Sequence, residues 1–243
     1  MNEKLRHLDL FSGIGGFALG LESTGGFETV GFCDNEPFAQ KVLKKHWPNV
    51  PCYEDVRDVG VDTVGYRGVD IITGGFPCQP YSVAGKQDPK DNRQLWPEMF
   101  RIIKEIRPTY VIGENVRNLI SIREGVVFEQ VCTDLEGEGY EVQTFVLPAS
   151  AVNAPHQRYR CWILANSDNA RWEKQWWQEA AQEEQQTSKC GSWWSVEPSV
   201  GRVAHGIPYR VDRLKGLGNA VVPQIPAVLG RAILEVHNGE RKR

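Results

Sequence analysis

Apolar and polar positions along the first two-thirds of the chain alternate between strand-like runs and helix-period stretches. Leu5-Arg6-His7-Leu8-Asp9-Leu10 and Phe27 to Cys33 read as strands. Between and after them, about Gly15 to Ser23 and Pro37 to His46 read as helices. Pro37 stands at the first helical position, where a missing N–H costs nothing. Val69 to Thr73, Tyr110 to Gly113, Tyr140 to Leu147 and Arg160 to Ala165 predict further strands, with a possible short one before Asp55. Leu95, Met99, Ile102, Ile103 and Ile106 recur at helical spacing before the stop Arg107-Pro108, and Gly125 to Glu138 predicts another helix. After Pro223, the residues Ile225, Val228, Leu229, Ala232, Ile233 and Val236 form one apolar helical face. Strands separated by single helices predict an α/β fold with a mostly parallel, doubly wound, Rossmann-like sheet.

From Asn166 to about Pro198 the texture changes: aliphatic residues thin out, and Gln, Glu and Trp (Trp172, Trp176, Trp177, Trp193, Trp194) dominate. An inserted recognition segment and a solvated helix with Trp side chains tucked onto the core fit this equally well. The expected division is 1–165 as a catalytic domain, 166–212 as a short recognition segment, and 213–243 as a C-terminal segment packing back.

Composition excludes more than it assigns. At 243 residues, 41% hydrophobic and 24% charged, the chain has the makeup of an ordinary globular domain. No apolar stretch approaches the roughly 18 residues a membrane span needs. Met1-Asn2-Glu3-Lys4 runs straight into strand-like sequence, so no signal peptide is expected and a cytoplasmic setting is the default. Six scattered cysteines without a C-x-x-C pair argue against a zinc ribbon or a thioredoxin-type site, and no metal is expected. Net charge is −3, yet residues 158–243 hold 13 Lys and Arg against 9 Asp and Glu, which makes this the part suited to a polyanion.

Two motifs carry candidate chemistry. Asp9 to Phe17 sets a glycine-rich turn (Gly13, Gly15, Gly16) between the first strand and first helix, where backbone approaches a ligand closely. Counted from Gly13 it reads G-x-G-x-x-A, with Glu36 downstream to hold a ribose. Nicotinamide cofactors and S-adenosylmethionine fit it equally. Phe76-Pro77-Cys78-Gln79-Pro80 follows the run from Val69 to Gly75 and presents one thiol at a strand's carboxyl end, where open α/β sheets keep their chemistry. A buried structural cysteine is the alternative for Cys78 taken alone.

With Asn35-Glu36, Glu114-Asn115-Val116, Gln157-Arg158-Tyr159-Arg160 and Gly218 to Pro223 added, six blocks lie in order, and the chain resembles a DNA (cytosine-5)-methyltransferase. The resemblance implies a fold of the S-adenosylmethionine-dependent methyltransferase type, S-adenosylmethionine as cofactor and double-stranded DNA as partner. A companion restriction endonuclease is a family-level expectation. It also implies Cys78 as the nucleophile that adds to cytosine C6, Glu114 as the acid at N3, and Asn115 as a buttress of the Pro77–Cys78 loop. Arg158 and Arg160 would hold the flipped nucleotide and orient Glu114. Phe11, Gly13, Ile14, Gly15, Gly16, Glu36, Asp55, Val56, Pro77, Leu95, Asn219 and Val221 match positions lining the cofactor site. The stretch from Tyr81 to Arg93 resembles a mobile catalytic loop, with Ser82, Lys86 and Arg93 as DNA contacts.

Three departures stand out: Pro37 follows Glu36 where relatives carry a bulky side chain, His156 replaces the first Gln of the Gln-x-Arg-x-Arg block, and the recognition region is very short. A tRNA cytosine-5 methyltransferase, a catalytically silent DNA-binding relative and a nicotinamide oxidoreductase are the competing readings.

Overall fold

The computed structural model describes residues 3–64, 68–77, 95–167 and 219–240. Among them run seven strands: β1 (Leu5–Leu10), β2 (Phe27–Cys33), β3 (Cys52–Tyr53), β4 (Ile71–Gly74), β5 (Tyr110–Val116), β6 (Glu141–Pro148) and β7 (Tyr159–Asn166). Helices α1 (Gly16–Glu22), α2 (Pro37–His46), α3 (Val61–Val64), α4 (Trp96–Ile106), α5 (Val126–Gly137) and α6 (Gln224–Glu240) connect or flank them.

The strands form one sheet in the order β3-β2-β1-β4-β5-β7-β6. Neighbours from β3 to β5 are parallel, whereas β7 runs antiparallel to both β5 and β6. The reversal has a simple cause. Only residues 149–158 separate β6 from β7, too few for the crossover helix a parallel pair requires. The alternation of elements predicts the parallel part but not this reversed strand. Pairing with β7 over seven residues also carries β5 through Val116, past the predicted end at Gly113.

Both faces of the sheet are covered. Met99, Ile102 and Ile103 of α4 and Val131 and Leu135 of α5 pack on Leu8, Ile72, Val111 and Ile163. On the other face, Phe17 and Leu21 of α1 and Val228, Leu229 and Ile233 of α6 cover Ile71, Ile112, Trp162 and Leu164. The segment leading into α6 lies directly on α1. A Cβ on Gly16 would sit 2.7 Å from the Val221 carbonyl oxygen, so only glycine permits that approach.

Strand order reverses between β1 and β4, the place where open α/β sheets leave a crevice at their carboxyl ends. Beneath it runs a buried polar chain. Thr73 Oγ1 donates to Asp9 Oδ1 at 2.8 Å and so accepts from Nε2 of His7 at 2.7 Å, while Nδ1 of His7 meets Thr29 Oγ1 at 3.2 Å. The chain ties β1, β2 and β4 together side chain to side chain. Burial pushes the His7 imidazole down to about 3, fixing it neutral. Burial pushes the Asp9 carboxyl up to about 8, opposed by its bond to Thr73.

Candidate active site

At the crevice the turn after β1 is held in an uncommon conformation. Phe11 has a φ of 54°, the left-handed region that costs a non-glycine residue about 1–2 kcal/mol. Ser12 holds the turn in that shape. Its hydroxyl donates to the Asp9 carbonyl at 2.6 Å and accepts from the Cys33 N–H at 3.1 Å, and its own N–H donates to the Cys33 carbonyl at 3.0 Å. Gly13 N–H donates to Asp34 Oδ2 at 2.7 Å, and Asp34 Oδ1 accepts from the Glu36 N–H at 2.9 Å. The ends of β1 and β2 are thereby stapled to each other.

A cavity of about 420 Å³ opens there, within the size range of small-molecule sites. Phe11, Gly13, Ile14 and Glu36 line it, with Asn219 and Val221 from the segment before α6. Pro77, Glu114, Asn115, Arg158 and Arg160 belong to the same lining. A smaller adjoining cavity of about 130 Å³ is lined by Asp55, Val56 and Leu95, and shares Phe11 and Pro77 with the first. Residues scattered from position 11 to 221 therefore meet at one place.

Gly15 and Gly16, expected in the cradle, lie behind the turn and not on the cavity wall. Gly15 has a φ of 85°, and a Cβ on it would stand 2.7 Å from the Trp47 ring, so it serves close packing against α2. Asp55 takes its place in the wall while capping the 3₁₀ turn Val56–Asp58: its carboxylate accepts from the Arg57 N–H at 3.0 Å and pairs with the Arg57 guanidinium at 3.1 Å. Those contacts hold its carboxyl below the usual range, the backbone bond from Arg57 contributing most. Cys78, Ser82, Lys86 and Arg93, and the stretch from Tyr81 to Arg93, lie outside the described residues, as does 168–218. Pro77, the covalent neighbour of Cys78, is on the cavity wall.

Glu114 is the chemically informative group. It sits within β5, opposite Trp162 of β7, and Asn115 after it is not in the left-handed region. Its side chain is buried and its Oε1 accepts from Arg160 Nε at 2.9 Å. Burial raises its proton affinity, with Arg160 and then Arg158 pulling the other way; burial prevails. Arg158 is itself lowered by burial and by the charge of Arg160. Next along the strand, Asn115 Nδ2 donates to the Phe76 carbonyl at 2.8 Å, fixing the backbone just before Pro77. The arrangement presents a buried carboxyl of raised proton affinity, paired with Arg160, in the same cavity as the carboxylate of Glu36 and the apolar side chains of Phe11 and Pro77.

Sequence reasoning missed Ser12, Asp34, Phe38 and Val116. Asp34 had a usable signal, an acid at the end of a strand beside Asn35-Glu36. Ser12 had none beyond lying between Phe11 and Gly13.

The sheet order and the site at its reversal point define a methyltransferase-type α/β fold. The chain belongs to the C-5 cytosine-specific DNA methylase family, whose model matches residues 5–206. It is 34% identical over 164 residues to Type II methyltransferase M.HgiCII of Herpetosiphon aurantiacus, and 38% identical over 179 residues to M.AluI of Cellulosimicrobium cellulans. These matches take in 67% and 68% of this chain but only 37% and 34% of the relatives, so the chain spans little more than a third of their length. Among solved structures, a Spodoptera frugiperda DNMT2 mutant superposes with a TM-score of 0.62 at 25% identity, over 70% of this chain and 52% of that one. S. pombe Dnmt2 superposes at 0.63 with 23% identity, over 72% and 55%, which shows the shared fold.

Proposed function

We propose that this protein transfers a methyl group from S-adenosylmethionine to C5 of a flipped-out cytosine in double-stranded DNA, through a covalent bond between Cys78 and C6. The observation that carries the reading is Glu114: a buried carboxyl with raised proton affinity, held by Arg160, in the cavity that also receives the glycine turn and Pro77.

The residues present fit an adenosyl cofactor. Glu36 and Asp55 offer carboxylate acceptors suited to ribose hydroxyls and an exocyclic amine, and Phe11, Val56, Pro77 and Leu95 offer apolar surface for the base. Bound there, S-adenosylmethionine would supply an electrophilic methyl group. Extrusion of the target base from the duplex costs a few kcal/mol. Glu114 donates its proton to cytosine N3 and draws electrons out of the ring, while Cys78 thiolate forms the bond to C6. The ring then carries an electron pair at C5, which would take the methyl group as the sulfonium S–CH3 bond breaks and its electron pair stays on sulfur, leaving S-adenosylhomocysteine. Loss of the C5 proton to a base, breakage of the S–C6 bond and return of the N3 proton to Glu114 release 5-methylcytosine and the thiolate. Covalent addition of this kind splits one difficult step into easier ones. Arg160 orients Glu114, and Arg158 beside it offers a second cation to the nucleotide. Asn115 steadies the strand end that leads to Cys78.

Segment 166–212 is the proposed recognition region, with Ser82, Lys86 and Arg93 as backbone contacts that position without specifying sequence. The naming of the relatives as Type II methyltransferases supports DNA as the polymer and a bacterial or phage setting with a companion endonuclease. The likeness to DNMT2 structures keeps tRNA as the second polymer to test. The deciding experiment offers DNA carrying 5-fluorocytosine, together with labelled S-adenosylmethionine and both polymers. A stable adduct at Cys78, absent in Cys78→Ser, is expected on DNA. Turnover on ordinary cytosine without any adduct on the fluorinated base would refute the covalent route.

A further inference from the structure

Beyond β3, a strand of only two residues, no sheet ladder among the described residues holds the backbone that forms the wall of the smaller cavity. That wall, Asp55-Val56, is held from elsewhere. Arg101, midway along α4, points its Nη2 at three backbone carbonyls of the same turn: Val59 at 2.9 Å, Val56 at 3.2 Å and Arg57 at 3.3 Å. Its remaining nitrogens are fixed on its own helix, Nε by Glu98 at 2.9 Å and Nη1 by Glu105 at 2.8 Å. Three carbonyls converging on one point concentrate negative partial charge. Nη2 has two hydrogens, so one of them is shared between carbonyls, while Nε and Nη1 hold Glu98 and Glu105 at the same time. A planar guanidinium reaches both sets of acceptors, and a lysine's single nitrogen does not. Glu98 and Glu105, three residues before and four after, are the helical neighbours able to hold the fork on both sides.

The same helix supplies another part of the wall, since Leu95, which lines the cavity, stands at the N-cap position of α4. One rigid element thus sets two parts of that wall: Leu95 directly, and Asp55-Val56 through Arg101.

We propose that Arg101 is a positioning residue for the adenine end of the cofactor site, fixing Asp55 at the reach needed to select an amino group on the purine. The inference rests on the reading of these cavities as an adenosyl site and adds the element that sets its selectivity. Arg101 touches no ligand; it acts through the turn it clamps.

The test measures calorimetric affinity of the full chain for S-adenosylhomocysteine and for S-inosylhomocysteine, which carries an oxo group in place of the amine. Wild type is expected to prefer the adenosyl compound clearly. Arg101→Met is expected to lose about tenfold in affinity for the adenosyl compound and much less for the inosyl one, so the ratio between them narrows. Arg101→Lys should fall between. General loosening of the fold would weaken both ligands alike and leave the ratio unchanged, and that result overturns the proposal. If Arg101→Met fails to fold by circular dichroism, the double variant Glu98→Gln, Glu105→Gln releases the fork without removing it. It must then narrow the ratio, and an unchanged ratio again overturns the proposal. Wild type that binds neither compound would bring down the cofactor reading itself, whereas wild type that binds with discrimination intact in every variant removes only the role of Arg101.

Discussion

Replacing Glu114 by Gln isolates the proton from the shape. Gln is nearly isosteric, and its carbonyl oxygen still accepts from Arg160 Nε, now 2.9 Å from Glu114 Oε1. What is lost is the acidic proton of the neutral form and, in the deprotonated form, the negative charge beside two guanidinium groups. Removing one partner of a buried ion pair outright costs about 3–5 kcal/mol. With the hydrogen bond retained, a loss of about 1–2 kcal/mol in folding stability is the expected remainder. The catalytic loss is expected to be larger, because general acid assistance is worth roughly 10²–10⁴-fold. Single-turnover methylation of duplex DNA measures that factor, and urea denaturation measures the stability. The pH profile adds an independent check. Burial raises the carboxyl above the ordinary range, so the protonated form persists to higher pH and is lost as pH climbs through the raised value. Wild-type activity should therefore fall on the alkaline side, and the variant should lack that limb. A variant within tenfold of wild type, with the alkaline limb intact, would refute the assignment of Glu114 as the proton donor.

Asp9→Asn tests the buried chain under the site. The carboxyl is raised from 3.8 to about 8, so its favourable contribution is complete below about pH 4 and is lost as pH rises through 8. Wild type should lose stability relative to the variant by up to about 1.4 kcal/mol per pH unit across that window; parallel denaturation curves would show that Asp9 does not titrate this way. Asn115→Ala removes the bond to the Phe76 carbonyl, and methyl transfer should drop at least tenfold while S-adenosylhomocysteine affinity, measured by calorimetry, stays within about threefold.

Much of this architecture could be read in the chain because local signals agreed with the final fold. The helix Pro37–His46 has both predicted ends, since Pro37 starts it, and β2 has both of its own. The cofactor-side residues were legible as motif positions, and ten of the twelve line the two cavities with Phe11 and Pro77 common to both, Asn219 joining from the far end of the chain. The rest was hidden for reasons that are physical. The reversed β7 depends on the shortness of the link before it, a property of spacing and not of apolar pattern. The left-handed Phe11 is stabilised by bonds from Ser12 to a strand 21 residues away. Arg101 reads in sequence as a solvated helix charge, and only folding delivers three carbonyls to it. Gly15 and Gly16 look like ligand-cradling glycines, yet the crowding that demands them comes from Trp47 and Val221.

Seven ladder pairs hold β7 against β5, from Tyr110 opposite Asn166 to Val116 opposite Arg160. Glu114 and Arg160 are diagonal partners on one side of that ribbon, so their spacing is inherited from the backbone and not from any loop. Length changes between residues 153 and 157 can accumulate without disturbing the pair. One residue inserted between Arg160 and Asn166 would turn the guanidinium through the sheet to its opposite side. The acid would then be stranded without its counter-charge in an otherwise well-folded molecule.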